Sequence, residues 1–305
     1  MAYPWPNYDP TQEALLHPEL SHPHGLYRQG DDWPFEAVCA EFARLAYFKF
    51  ETDAGKARLD EAMAQAGFGE AATFDPVAVP TFGNWIRRRQ QALRPRDSQA
   101  FAATSLDGEV TILAYRGTQA DAPKDLVTDL MAWRTTLPGG AKVHTGFWLA
   151  FRELAAQIDP WLARARPRRL VVTGHSLGAA LATIMAAMHE DAELVTFGSP
   201  MVGDRRFAEA FRRPALRYVD CTDMVTTVPY GWMGYVHFGE MRYIDRHGAV
   251  HAPAPGEAAL REDRDRAGTD YGPYRARPGN VPLRRFADHA PVNYVSAVAG
   301  KRNHP

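Results

Sequence analysis

The sequence is short of cysteine, of serine, of net charge and of long apolar runs, and each shortage removes a class of function. Two cysteines in 305 residues, Cys39 and Cys221, are too few for a disulfide framework or a cysteine-based zinc site. Each sits in an apolar stretch, which suits a reduced core thiol. Lys plus Arg number 35 against 36 Asp plus Glu, so no global field draws in nucleic acid or an anionic membrane, and any lipid contact is local. The longest mostly apolar run, Leu177–Met188, is too short for a transmembrane segment, and the chain reads as soluble. The start, Met1-Ala2-Tyr3-Pro4-Trp5-Pro6, lacks the basic head and apolar stretch of a secretory signal. The expectation is a cytoplasmic protein, or one exported by a signal-independent route.

What is present is an ordinary globular composition, 46% hydrophobic, long enough to bury a large core. The expected organisation is a single α/β domain over residues 1–305. Residues 1–33, rich in Pro, Tyr and Trp without periodicity, read as an arm laid over it. Helical spacing of Val38, Phe42 and Leu45, and a second such pattern over 54–66, predict two packing helices. Residues 99–105 and 109–115 flank Asp107-Gly108 and predict a tight hairpin whose two central residues take positive φ. Phe147, Phe151, Leu154, Ile158 and Leu162 predict a helix that Pro160 bends or ends. Residues 170–173, 194–197 and 216–221 read as buried strands, with Asp204 capping a helix between the last two. Strand and helix alternate, which implies a mostly parallel sheet covered on both faces. Residues 252–285, polar and studded with Pro and Gly, read as a long surface excursion.

One motif decides the chemistry. Gly174-His175-Ser176-Leu177-Gly178 lies between the apolar run Leu170-Val171-Val172-Thr173 and a helical pattern, Leu177, Leu181, Ile184 and Met188. In a strand-turn-helix setting, glycines two residues either side of a serine remove the Cβ atoms that would clash, and the turn holds Oγ at the sheet's carboxyl edge. With six serines and 24 glycines in the chain, random placement predicts roughly 0.04 such matches. Ser176 is the candidate nucleophile.

A serine hydroxyl needs a histidine base, and the imidazole needs a carboxylate to fix its tautomer. In folds with this turn the chain order is Ser, acid, His. Downstream acids are Asp204, Asp220, Asp223, Glu240 and Asp245. Sites in open parallel sheets gather beyond the carboxyl ends of strands. Asp223 lies just past the strand 216–221 and is the better candidate; Asp220 lies inside it, and Asp204 is more simply a helix cap. Among later histidines, His237 belongs to a strand-like aromatic run, Tyr235-Val236-His237-Phe238, while His247 and His251 flank the polar excursion. His289, in Asp288-His289-Ala290-Pro291, is best placed to return to the sheet edge.

These residues carry a resemblance. Tyr115-Arg116-Gly117-Thr118, Asp129, Val143-His144-Thr145-Gly146-Phe147, 174–178, Phe197-Gly198-Ser199-Pro200, Thr222-Asp223 with Val228-Pro229, and Asp288-His289 stand in the order found in class 3 lipases of the α/β-hydrolase fold. The chain resembles that family over residues 110–295. The resemblance implies a triad of Ser176, Asp223 and His289, with Thr118 and the backbone amide of Leu177 as oxyanion donors. Such donors stabilise the charge that forms on the carbonyl oxygen of the tetrahedral intermediate.

It also implies carboxylic-ester hydrolysis of acylglycerols or similar lipids through an acyl-serine, with no cofactor and no metal. Alternatives on the same fold are a phospholipase A1-type or feruloyl-type esterase, and, in another class, a catalytically dead hydrolase fold kept as a binding module. Partners would be a lipid or small ester, with transient contact at a lipid interface.

In that family the lid often carries a tryptophan three residues before the aspartate matched by Asp129; here Leu126 holds the place. The stretch 119–131 also carries Asp121, Lys124 and Asp125, so only modest interfacial activation is expected. The aromatic stretch 229–235 after the acid either walls the acyl site or packs as a surface turn, and its position favours the wall. The clusters Arg87-Arg88-Arg89 and Arg94-Pro95-Arg96 read as a solvated face.

Overall fold

The computed structural model describes residues 7–77, 98–117 and 134–302. The arginine clusters at 87–89 and 94–96, Thr118, Leu126, Asp129 and the stretch 119–131 lie outside the described residues.

Apolar runs that alternate sides build the sheet. Strands β1 (Ala72–Phe74), β2 (Ala100–Thr104) and β3 (Thr111–Tyr115) are followed by a separate small hairpin, β4 (Arg134–Thr136) and β5 (Lys142–His144). Then come β6 (Leu170–His175), β7 (Glu193–Phe197), β8 (Ala215–Asp220), β9 (Glu240–Ile244) and β10 (Val250–His251). Eight of these make one sheet in the order β1-β2-β3-β6-β7-β8-β9-β10. The five strands from β3 to β9 run parallel, and the pairs at both edges are antiparallel. Parallel strands must be covered on both faces, which is why 170–173 reads as an unbroken apolar run.

Each strand sends alternate residues into two cores. Leu113, Tyr115, Val172 and Leu194 pack on Phe147, Leu154, Ile158, Leu181, Ile184 and Met185. Ile112, Ala114, Val171, Val195 and Phe197 face the other way, onto Phe42, Leu45, Leu59 and Val295. The helices on that second face are α1 (Phe35–Leu45), α2 (Asp53–Gln65) and, from the far end of the chain, the helix Pro291–Val298. The first face is covered by α3 (Thr145–Ala165) and α4 (Leu177–Met188). Cys39 and Cys221 are buried free thiols.

Three local expectations are corrected. Pro160 does not end its helix: α3 continues through it to Ala165. The carbonyl that Pro160 leaves without a partner belongs to Ala156, and both residues are exposed, so water can serve it. In the hairpin, Gly108 alone takes positive φ, +75°. Its N–H closes a turn on the Ser105 carbonyl at 2.8 Å, and Asp107 instead accepts from Ser105 Oγ and the Glu109 amide. The run 235–238 is not a strand: Val236 makes an isolated bridge to Gly203, and the next strand is β9.

The polar stretch 252–285 is less irregular than its composition suggests. It holds the helix Glu257–Asp270, whose Leu260 and Ala267 pack on Val219, Cys221 and Tyr243. Asp263 from the same helix accepts from Tyr243 Oη at 2.8 Å and pairs with Arg246 at 2.9 Å. Two apolar side chains in a charged helix leave too weak a periodicity to read.

A cluster of buried charge ties the two ends of the chain to the sheet edge. Asp288 accepts from Tyr8 Oη at 2.8 Å, from Thr222 Oγ1 at 2.7 Å and amide at 3.0 Å, and from Arg284 Nε at 3.2 Å. Arg302 pairs with Asp220 at 2.5 Å and lies over the Tyr8 ring at 4.5 Å. Burial alone would raise the Asp288 carboxyl, but Arg284, Arg302 and the Thr222 bonds together hold it below the usual range. A carboxylate depressed by folding stabilises the fold above its unfolded pKa, about 3.9, and loses that contribution as pH falls through the folded value. Asp288→Asn should therefore lower the Tm at neutral pH and flatten its dependence on pH below about 4. Calorimetry over an acid series checks this, and a slope as steep as that of the parent protein would refute it.

Candidate active site

The site grows from the junction of β6 and α4. Ser176 takes φ 58°, ψ −128°, outside every region that a residue with a Cβ adopts at low energy, including the left-handed helical well. Strain of this kind costs about 1–3 kcal/mol and persists only where the surroundings impose it. Here the Ser176 amide donates to the Phe197 carbonyl at 3.1 Å. A Cβ on Gly174 would overlap the Gly178 carbonyl, and one on Gly178 would overlap the Tyr115 carbonyl oxygen on β3. The flanking glycines let helix and strand approach closely enough to hold the turn.

Around that turn the structure brings three predicted residues together. His289 Nε2 lies 2.9 Å from Ser176 Oγ, and His289 Nδ1 lies 2.8 Å from Asp223 Oδ2. All three side chains are buried. Asp223 sits in the loop after β8, where its Oδ1 accepts from the Val225 amide at 2.9 Å and its Oδ2 from Tyr294 Oη at 2.6 Å. With both oxygens engaged, the carboxylate can accept the Nδ1 proton of His289 and leave Nε2 to accept from Ser176. Leu177 supplies the first amide of α4, one of those a helix leaves without an internal acceptor. Thr118 is outside the described residues.

The other candidates are engaged elsewhere. Asp204 caps the helix Arg205–Ala210 through the Phe207 amide. Asp220 faces Arg302, Glu240 pairs with Arg242, and Asp245 binds its own turn and His251. His237 Nε2–H donates to the Thr226 carbonyl at 2.7 Å, and burial lowers its pKa to about 3. His247 is exposed.

Four contributors were not legible as such. Tyr294 receives the Asp220 amide at 3.0 Å and donates to Asp223; burial and the Asp223 charge push its phenol well up, so it remains a donor. Gly198 makes room: a Cβ there would lie 2.8 Å from Asp223 Oδ2 and 3.1 Å from His289 Nδ1. His175 lies with its ring centroid 4.4 Å from that of His289, and burial holds it well below its ordinary pKa. Its Nδ1 accepts from the buried Tyr47 hydroxyl at 2.8 Å, so this neighbour of the candidate base is neutral. Asp288 joins Thr222, beside the acid, to the residue beside the base. The pairs Thr222-Asp223 and Asp288-His289 were visible in sequence, but the bond between them was not.

Comparison with known proteins finds relatives among lipases. Residues 112–232 match the model of the lipase (class 3) family. Over that stretch the chain is similar to class 3 lipases. The secreted mono- and diacylglycerol lipase 1 of Fusarium solani is 37% identical over 120 residues, 36% of this chain and 36% of that protein. The phospholipase A1-II 5 of Oryza sativa subsp. indica is 25% identical over 274 residues, 68% of this chain and 59% of that protein. The lipase of Rhizopus microsporus var. chinensis superposes with TM-score 0.53 at 22% identity, covering 69% of this chain and 74% of that one, a likeness that shows the α/β-hydrolase fold. The chain spans 36% to 52% of the length of the first curated relatives it matches. The class 3 lipase match holds Ser176 and Asp223 but ends before His289.

The separation of roles between the two aspartates is testable. Asp223→Asn should cut kcat by up to roughly 10⁴-fold with the fold preserved, because the other imidazole tautomer becomes favoured. Asp220→Asn should instead lower the Tm, since it leaves Arg302 buried beside a neutral amide, and should spare most of the turnover. Turnover of an activated ester measured beside thermal melts separates the two, and the reverse pattern would overturn the assignment.

Proposed function

We propose that this protein is a serine carboxylic-ester hydrolase that acts on acylglycerols or similar lipid esters through an acyl-Ser176 intermediate. The single observation that carries the proposal is the continuous chain Ser176 Oγ, His289 Nε2, His289 Nδ1, Asp223 Oδ2, with links of 2.9 and 2.8 Å. His289 takes the Ser176 proton as Oγ attacks the ester carbonyl. The tetrahedral oxyanion is received by the Leu177 amide and by Thr118. Collapse expels the alcohol, which leaves with the proton from His289, and the acyl group stays on Ser176. Water, deprotonated by the same imidazole, then attacks the acyl-serine, and the carboxylic acid departs as Oγ regains its proton. Asp223 keeps its charge throughout and stabilises the imidazolium.

The family match and the mono- and diacylglycerol lipase relative support an acylglycerol as substrate. A second reading, cleavage of a phospholipid acyl chain, is favoured by the phospholipase A1 relative, which aligns over more of this chain. The binding-module reading is disfavoured, because it has no use for a strained serine within hydrogen-bond reach of a histidine paired to a carboxylate.

A fluorophosphonate probe should label the protein at Ser176 and nowhere else, and Ser176→Ala should abolish labelling. A hydrolysis panel of triglycerides, diglycerides, phospholipids and aryl esters, with the Ser176→Ala control, reports the substrate class. Labelling that survives Ser176→Ala, or turnover of none of these esters by folded protein, would overturn the proposal.

A further inference from the structure

Most exposed large apolar side chains of the described residues stand singly, such as Leu20, Leu106 and Met188. Tyr230 and Trp232 share one turn. Trp232 is 81% exposed and Tyr230 42%, and their rings stack at 6.1 Å with an interplanar angle of 15°. The turn is a short 3₁₀ helix, Gly231–Met233, closed by Met233 N–H on the Tyr230 carbonyl at 2.9 Å. Its ends are anchored: Val228 and Tyr235 are buried, and Arg134 donates to the Gly234 carbonyl at 3.1 Å while lying over the Tyr235 ring. The backbone therefore holds the two rings outward. Position after Asp223 favoured a wall of the acyl site over a surface turn, and the exposure corrects this to a surface turn.

The flanks of the turn are basic. Val236 bridges to Gly203, and Gly203 bridges to Val143, so the β4-β5 hairpin and the start of the helix Arg205–Ala210 lie alongside. These pieces expose Arg134, Lys142, Arg205 and Arg206. Asp204, which accepts from the Phe207 and Lys142 amides, and Glu209 offset two of the four positive charges, so the rim keeps a net positive charge.

A stacked pair on a short turn covers far less than the roughly 800 Å² per partner of a stable protein interface. Tyr and Trp, with apolar rings and polar tips, suit the boundary between headgroups and acyl chains, and a basic rim attracts anionic headgroups. We infer that the Tyr230–Trp232 turn docks this protein on an anionic lipid surface, with Trp232 entering the boundary and the arginines meeting the headgroups. The inference deepens the lipid-ester reading and rests on it for its purpose: the turn follows Asp223 in the same loop, so docking holds the acid side of the site against the substrate phase.

The test uses the full chain carrying Ser176→Ala, so that no lipid is consumed, and vesicles of phosphatidylcholine alone or mixed equally with phosphatidylglycerol. Sedimentation should show binding to the mixed vesicles, weakened by salt. Adding Trp232→Ala should lower the partition at least about tenfold. The paired Arg205→Glu and Arg206→Glu changes should lower it similarly. With Ser176 intact, Trp232→Ala should hydrolyse a short soluble ester as the parent does. Undiminished binding by Trp232→Ala, or no binding by the parent to either vesicle, overturns the inference. Loss of soluble-ester turnover in Trp232→Ala also overturns it, assigning the ring to the site. Vesicle binding by a protein whose Ser176-intact form cleaves no ester would refute the hydrolase reading while leaving the docking surface in place.

Discussion

The site depends on one strained residue. Ser176 stands at positive φ because β6 must turn into α4 within a single residue, and the register that sets Tyr115 opposite Gly174 brings the β3 carbonyl against Gly178. A side chain at either glycine would push helix and strand apart and let the serine relax. The two cores on either face of β6 supply the packing that keeps it strained. From that geometry follow the outward hydroxyl, the adjacent first amide of α4, and the position an imidazole must occupy to reach Oγ.

Electrostatics complete what the turn begins. Three carboxylates are buried around the end of β8: Asp220, Asp223 and Asp288. Asp220 and Asp288 have arginine partners, Arg302 and Arg284. Among the described residues no arginine pairs with Asp223, whose hydrogen-bond partners at Oδ2 include His289 Nδ1. An arginine there would satisfy the charge permanently and weaken its attraction for an imidazolium, whereas neutral donors such as Tyr294 Oη and the Val225 amide orient the carboxylate without cancelling it. Neutral His175 beside His289 likewise adds no competing charge.

The two loops that carry Asp223 and His289 come from distant parts of the chain. Asp288 bonds them together through Thr222, and the same carboxylate accepts from Tyr8, 280 positions earlier in the chain. The family match ends at residue 232, so the histidine arrives from a part of the chain that the match does not reach. The polar stretch between them is not idle length: the helix Glu257–Asp270 packs on the back of β8 and β9.

Much of the architecture was legible in the sequence because it is written in local patterns. Continuous apolar runs mark strands buried on both faces, helical spacing marks α1, α3 and α4, and a serine between two glycines at a strand-helix boundary marks the turn. The strand-end argument chose Asp223 over Asp220, and chain order with loop position chose His289. Where patterns were diluted the reading fell short: Pro160 was read as a bend or an end, and its solvent-facing position lets the helix continue, while a charged helix with two buried side chains was read as excursion. The sequence by itself determined the residue types and their order, since propensity and periodicity act between near neighbours. Only the tertiary structure decided which groups meet, because the bonds from Tyr294 to Asp223, Asp288 to Thr222 and Tyr47 to His175 span 71, 66 and 128 positions, and no local rule couples residues that far apart.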